Sequence, residues 1–98
     1  MRVEVTQEDI EIGIKGNARA CPLAHAFRRA LPGRDVTVFR HWAYDEGPEG
    51  WNESRETWKQ RSKIGRFHLP QEATDFVSRF DRGDAVQPTV FHVDAELP

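Results

Sequence analysis

The sequence predicts one α+β domain, built from a small three- or four-stranded, mainly antiparallel sheet with about three helices. Three observations support this class. The chain has 98 residues, 38% of them hydrophobic, so it can enclose one small core. Short segments near both ends alternate apolar and polar residues, as strands do, whereas two internal segments repeat apolar residues every three or four positions, as helices do. The predicted order is β-α-α-β-loop-(β)-α-β within a single domain, residues 1–98.

A short strand and a short helix are predicted at the start of the chain. Val3 and Val5 alternate with polar neighbours, which is the period of a half-buried strand. Thr6 is a suitable N-cap because acidic residues follow it in the first turn, and Gly16 ends the segment. These features predict a helix of about two turns.

A second helix is predicted from Pro22, a residue suited to the first helical position, to Leu31. Its apolar residues recur at three- and four-residue spacing. They are Leu23, Phe27, Ala30 and Leu31. The segment 36–44, VTVFRHWAY, is rich in β-branched and aromatic residues and predicts one central strand.

A third helix is predicted within residues 69–83, where Gly83 provides a C-cap. Its apolar face consists of Ala73, Phe76, Val77 and Phe80. Residues 66–68 are a candidate short strand before this helix, and residues 89–94 alternate as a last strand.

Charge and composition limit the functional classes. The chain has 14 basic and 16 acidic residues, a net charge of -2, which argues against a general nucleic-acid coat or a membrane-surface protein. Residues 15–66 are net basic and both flanks are net acidic. No apolar run approaches the ~20 residues of a membrane span and no leader pattern is present, so we expect a cytoplasmic protein. The single cysteine, Cys21, agrees with a reducing compartment.

Residues 45–63 are predicted to form a long charged insertion loop that contains Trp51 and Trp58. Long irregular connections in compact domains are usually functional or disordered. Two interpretations stay open. Either the tryptophans fold back and cap the open face of the sheet, or one of them is presented to a partner with Trp42 or Tyr44 beside it, because Trp, Tyr and Arg dominate interface energetics.

Few residues are arranged for catalysis or metal binding. Cys21 and His25 are four positions apart and share a helix face, which is half of a zinc site, but no second pair follows. Cys21 near a helix N-terminus is also a candidate reactive thiol, the basis of a remote enzymatic alternative. Phosphate-binding and common hydrolase motifs are absent from the sequence. We therefore predict a protein without catalytic residues, metal or cofactor.

A nucleic-acid-binding regulator is the main alternative. It would use a stripe of basic residues, with Trp42 or Trp58 available for stacking on bases. Its affinity should fall steeply with salt. The stripe consists of Arg28, Arg29, Arg34, Arg40, Lys59, Arg61, Lys63 and Arg66.

Two blocks of the sequence resemble a group of small bacteriophage and prophage proteins. Residues 10–26, IEIGIKGNARACPLAHA, are similar to the pattern I-x-x-G-x-x-G-x-C-x-x-C-P-[IL]-A-x-A. Residues 69–91 are similar to L-P-x-x-[AV]-x-x-F-[IV]-x-x-F-D-x-G-x-x-V-x-P-F-x-F. Ala18 stands at the first cysteine position of the pattern and Thr89 at an aromatic one, so Cys21 lacks a Cys-x-x-Cys partner.

The resemblance implies a phage-type accessory protein. Accessory proteins of this size without active-site motifs often inhibit host machinery, and anti-CRISPR proteins are among them. By analogy we expect a non-enzymatic inhibitor of a host protein or ribonucleoprotein complex, although exposed aromatic residues would equally serve a homodimer. The predicted partner contacts are Trp51, Trp58, Lys59, Arg61 and Lys63, with Arg28 and Arg29 as second choices.

Overall fold

A computed structural model describes residues 1–48 and 65–96 of the chain. In chain order the elements are β1 (Arg2–Val5), α1 (Gln7–Ile12), α2 (Pro22–Ala30), β2 (Arg34–Val38), β3 (Trp42–Pro48), β4 (Arg66–His68), α3 (Gln71–Asp81), β5 (Thr89–His92) and β6 (Asp94–Glu96). The predicted α+β class is confirmed. Within these residues no helix is long and apolar enough to cross a membrane.

The described strands form two antiparallel sheets. One has four strands in the order β2-β3-β4-β6, and the other pairs β1 with β5. Val93 is the single residue between β5 and β6. Its carbonyl accepts a hydrogen bond from the Met1 ammonium at 2.7 Å, and its N–H donates to the Met1 carbonyl at 2.9 Å. The end of the chain therefore belongs to both sheets.

Two predicted strands are each divided in the structure. Residues 36–44, expected as one strand, form the β2-β3 hairpin, in which the Phe39 N–H donates to the Trp42 carbonyl at 2.8 Å. Arg40 and His41 make this turn without the glycine, asparagine or proline that usually marks one. Residues 89–94, expected as one strand, change partner at Val93, from β1 to β4. The first strand, the three helices and the 66–68 strand lie close to their predicted positions.

The core is built from buried residues of both sheets and of α2 and α3. Phe27 of α2 contacts Phe67 of β4, with ring centroids 5.4 Å apart, and Phe76 of α3 contacts Phe91 of β5 at 5.7 Å. Ala43 of β3 is fully buried beside Phe67, its partner in register. Because successive side chains of a strand point to opposite faces, the residues on either side of Ala43 and Phe67 occupy the outer face of this sheet.

The predicted insertion, residues 45–63, begins inside a strand. β3 extends to Pro48 and so includes the first four residues of that segment. Asp45 and Gly47 pair with β2, which gives these residues a structural role at the end of the hairpin. Residues 49–63, with both tryptophans, lie outside the described residues.

Candidate functional site

The outer face of the four-stranded sheet is the candidate site. β3 presents Trp42 and Tyr44 there, and β4 presents Arg66 and His68 directly opposite them in register. Phe39, which follows β2, packs against the Tyr44 ring. We call these five residues the aromatic face.

One half of the aromatic face is organised around Trp42. The His68 ring packs edge-on against it, with centroids 4.9 Å apart and planes at 69°. The Arg66 guanidinium carbon lies 4.1 Å from the Trp42 ring centroid, a cation–π contact. Two residues of β4 therefore hold the Trp42 side chain in place.

The other half is formed by Phe39 and Tyr44. The Phe39 and Tyr44 rings are 5.4 Å apart and nearly perpendicular, at 76°. Phe39 is 50% exposed, although a phenylalanine is usually among the residues a fold buries. Phe39 and Tyr44 line a shallow depression of about 350 Å³ together with Glu46. This half offers an apolar surface to another molecule.

Both arginines predicted as secondary contacts are engaged within the fold. The Arg28 guanidinium lies 3.1 Å from Asp35 and donates to the Val36 carbonyl at 3.2 Å. Arg29 donates to both carboxylate oxygens of Asp9, at 2.8 and 2.6 Å. Their role in partner binding stays a prediction, but each already has a structural role.

Asp9 and Arg29 perturb each other's ionisation. Asp9 is 2% exposed and also accepts the Thr6 backbone N–H at 2.8 Å. Burial opposes ionisation of Asp9, but the hydrogen bonds from Arg29 and Thr6 outweigh it, so the pKa of Asp9 lies below its ordinary value. Conversely, the hydrogen bond to Asp9 raises the pKa of Arg29.

The basic stripe of the nucleic-acid alternative is partly neutralised. Arg28 and Arg29 face Asp35 and Asp9, and Arg34 forms a third ion pair with Asp45 at 3.0 Å. A carboxylate beside an arginine offsets its positive charge and so weakens its attraction for a phosphate. These pairs lessen the positive charge that the stripe presents.

A second concave region lies where the loop before α2 meets α3. This groove encloses about 270 Å³ and includes Gly16, Cys21 and Asp81 in its lining. The Gly16 N–H donates to the Asp81 carboxylate at 2.9 Å, and the Val38 N–H donates to the Ala18 carbonyl at 2.8 Å. The groove thus joins the two sequence blocks on which the phage resemblance rests.

Cys21 is poorly placed for chemistry at this groove. It is 3% exposed, and burial raises the pKa of its thiol, although the Ala24 and Leu23 N–H groups act in the opposite direction. The protonated thiol is a weak nucleophile. Nearby, the Nε2 atom of His25 is buried without a hydrogen-bond partner in the structure. Among residues 1–48 and 65–96, no group of three or more His, Cys, Asp and Glu side chains could hold a metal ion.

The structure brings together only part of what the sequence suggested. Trp42 and Tyr44, expected beside an exposed tryptophan, lie on the aromatic face. The main predicted contacts, Trp51, Trp58, Lys59, Arg61 and Lys63, fall outside the described residues. Sequence reasoning did not identify Phe39 or Glu46 as site residues. Phe39 joins the face through the β2-β3 hairpin and Glu46 lies at a register shift of that hairpin, and neither feature has a local sequence signal.

Comparisons with known proteins do not assign this chain to a family. No protein-family model, curated protein or solved structure matches this chain.

Proposed function

We propose that this protein is a non-enzymatic, phage-type accessory protein that binds a host macromolecular complex through the aromatic face and inhibits it, acting in the host cytoplasm. The observation that carries the proposal is the exposed Phe39 ring, packed at 5.4 Å on Tyr44 beside Trp42. Tryptophan and tyrosine often dominate the energy of protein–protein contacts, and phenylalanine is enriched at such contacts.

The aromatic face is preorganised for binding. Trp42 is fixed by Arg66 and His68, and Tyr44 by Phe39, so little side-chain freedom is lost when a partner covers them. The burial and raised pKa of Cys21 favour binding over thiol catalysis. The inhibitory role and the host target rest on the phage resemblance, and a CRISPR effector complex is the first target to test.

The test is affinity capture with matched variants. Tagged wild-type protein, Phe39→Ser and Ile12→Ser are each incubated with bacterial lysates that carry candidate defence systems, with and without nuclease. Ile12 is a matched control because it is 52% exposed and lies in α1 rather than on the sheet. We expect wild type and Ile12→Ser to capture a stoichiometric host protein despite nuclease, and Phe39→Ser to lose it.

Other outcomes would redirect the proposal. Capture that disappears with nuclease would favour the nucleic-acid regulator. Capture that survives in Phe39→Ser would exclude the aromatic face as the binding surface. Light scattering on the isolated protein would reveal a homodimer, and dissociation by Phe39→Ser alone would assign the face to self-association. If the captured complex is a CRISPR effector, plasmid interference is measured in cells with and without this protein, which tests inhibition directly.

A further inference from the structure

One wall of the groove between α3 and the loop before α2 is a stripe of α3. Thr74, Val77, Ser78 and Asp81 line the groove, and their spacing of three and four residues places them on one helix face. Thr74 and Asp81 are about 10 Å apart along the helix axis, since each residue of an α-helix advances about 1.5 Å. The groove therefore has two distinct ends, one at Thr74 and one at Asp81.

Arg40 lies at the Thr74 end of the groove. The Thr74 hydroxyl donates to the Arg40 carbonyl at 2.8 Å, which fixes the backbone of this lining residue. The Arg40 side chain is exposed, and within residues 1–48 and 65–96 its guanidinium forms no hydrogen bond or ion pair. Its positive charge is therefore available to a ligand at this end.

Other cations of the same kind surround the groove. In the part of the chain that the structure describes, the cations that form neither an ion pair nor a ring contact are Lys15, Arg19, Arg40 and Arg79. Apart from Arg40, each of them directly precedes or follows a residue that lines the groove. Arg28, Arg29 and Arg34, by contrast, pair with carboxylates. Positive charge without a partner is thus concentrated around the groove, which favours an anionic ligand.

The acidic residues of α3 leave the Arg40 end open to an anion. Asp81 lies at the opposite end, where it accepts the Gly16 N–H at 2.9 Å. That separation along α3 exceeds the electrostatic screening length of about 8 Å at physiological ionic strength. Asp75 does not line the groove, and its carboxylate accepts a hydrogen bond from Gln71 at 2.9 Å. A single negative charge beside Arg40 therefore meets attraction with little repulsion.

Asn17 and Ser78 add hydrogen-bond donors to the groove. The Oδ1 atom of Asn17 accepts the Arg19 and Ala20 N–H groups at 3.0 and 3.1 Å, so its NH₂ group is left to donate. The Ser78 hydroxyl lies one helical turn from Thr74 on the same wall. An ionised carboxylate accepts hydrogen bonds and donates none, so these groups suit it.

Size and shape favour one side chain over a cofactor or a nucleic acid. The groove encloses about 270 Å³, whereas small-molecule pockets usually enclose about 300–1,000 Å³. A nucleic-acid strand lying along the groove carries a phosphate on every nucleotide and would bring negative charge toward Asp81. A single carboxylate can instead meet Arg40 while its aliphatic stem packs against Val38 and Val77.

Phe39 lines both this groove and the depression on the aromatic face, so the two surfaces are continuous. We propose that the groove binds an aspartate or glutamate side chain of the partner protein, whose carboxylate pairs with Arg40. This inference rests on the proposed function and specifies the chemistry of the partner. A partner that covers the aromatic face reaches the groove across Phe39.

The test uses short capped peptides and amide NMR on the intact chain. Acetyl-Gly-Glu-Gly-amide and its aspartate counterpart are titrated to about 10 mM, since one side chain binds weakly. The control peptide carries glutamine, which has the shape of glutamate without its charge. We expect saturable shifts of the Asn17, Arg40 and Ser78 amides with the acidic peptides, and several-fold weaker shifts with glutamine. A thymidine tetranucleotide, the nucleic-acid probe, should bind more weakly than the glutamate peptide.

A matched pair of variants isolates the charge of Arg40. Arg40→Gln removes the guanidinium and keeps the backbone carbonyl that Thr74 uses, so affinity for the glutamate peptide should fall about two- to fivefold. Binding of the glutamine peptide should stay unchanged. Arg2→Gln removes the same charge from a side chain that is 60% exposed and does not line the groove, and should affect neither peptide. The shifts should also shrink with added salt, because the ionic contact is exposed.

Failure of this inference differs from failure of the proposed function. Equal shifts with glutamate and glutamine, no effect of Arg40→Gln, or tighter binding of the tetranucleotide would each overturn the carboxylate site. If Phe39→Ser still abolished capture of the host protein, the aromatic face would stand as the interface without the groove. Conversely, selective binding of the acidic peptides with no captured host protein would support the groove and count against the proposed function.

Discussion

Gly16 and Asp81 are joined by a hydrogen bond of 2.9 Å although 65 positions separate them in the sequence. The backbone N–H of the loop before α2 donates to a carboxylate in the last residue of α3. Gly16 has φ of 68°, so the loop reaches α3 in a conformation that favours glycine. This contact gives Gly16 of one sequence block and Asp81 of the other a shared structural role in this chain.

Replacing Asp81 tests this contact. Asp81→Ala removes the acceptor, and we expect the free energy of unfolding in urea to fall by about 1 kcal/mol. Asp81→Asn keeps a carbonyl acceptor, so its loss of unfolding free energy should be less than half that of Asp81→Ala. Equal losses in both variants would show that the negative charge, rather than the hydrogen bond to Gly16, is what matters.

Arg29 and Arg28 form a matched pair of ion-pair variants. Arg29→Met leaves the Asp9 carboxylate buried with one partner fewer, and we expect a loss of about 2–4 kcal/mol in the free energy of unfolding. Arg28→Met should lose only about 1 kcal/mol, because the Asp35 side chain is 25% exposed and water can replace the arginine. The reverse order would contradict a structural role for the Arg29–Asp9 contact.

Asp9 should make stability depend on pH. Its pKa is lowered in the folded chain relative to the ordinary 3.8, so its contribution is fully present above that value. The contribution is lost as pH falls through the folded pKa. The difference in unfolding free energy between wild type and Asp9→Asn should therefore stay constant above about pH 5 and narrow toward about pH 2. A difference that widened on acidification would mean that the pKa of Asp9 is raised, rather than lowered, in the folded protein.

Cys21 should resist thiol reagents while the protein is folded. Because the thiol is buried and its pKa is raised, we expect native labelling by a chromogenic disulfide at least about 100-fold slower than in urea. Native labelling as fast as that of the unfolded chain would instead support the reactive-thiol alternative.

Gly47 and Gly33 allow the stability cost of a side chain at a positive φ to be measured at two positions. Both have positive φ, 96° and 79°, so alanine at either position should lower the unfolding free energy by about 1–2 kcal/mol. Only Gly47 lies at the β-bulge of the β2-β3 hairpin, where the register shifts between Asp35 and Val36. Urea unfolding of Gly47→Ala and Gly33→Ala measures both losses. A variant as stable as wild type would contradict a positive φ at that glycine.

The helices and the fold class could be predicted from sequence because their signals are local. The three- and four-residue spacing through Leu23 and Phe27, and through Phe76 and Phe80, matches buried positions of α2 and α3. The β2-β3 hairpin could not be predicted, because Arg40 and His41 carry no turn preference and the residues of the two strands are similar in type.

The candidate site was only partly predictable. Trp42 and Tyr44 share a face by simple alternation, which the sequence displays. Phe39 joins them only through the register of β2 on β3, and Glu46 adjoins them across a bulge. Pairing and bulges depend on tertiary contacts rather than on local preference, so the half of the site that Phe39 and Tyr44 form became visible only in the structure.

The segment 89–96 closes both sheets, and this has a consequence for the order of folding. β1 pairs with β5, and β4 receives its second neighbour from β6, so neither sheet is complete until this segment docks. Both pairings join parts of the chain that are far apart in sequence, which slows the search for them. During synthesis on a ribosome, β1 cannot pair with β5 until nearly all of the described chain has emerged. The backbone N–H and C=O groups of β1 that pair with β5 stay without this strand partner until then.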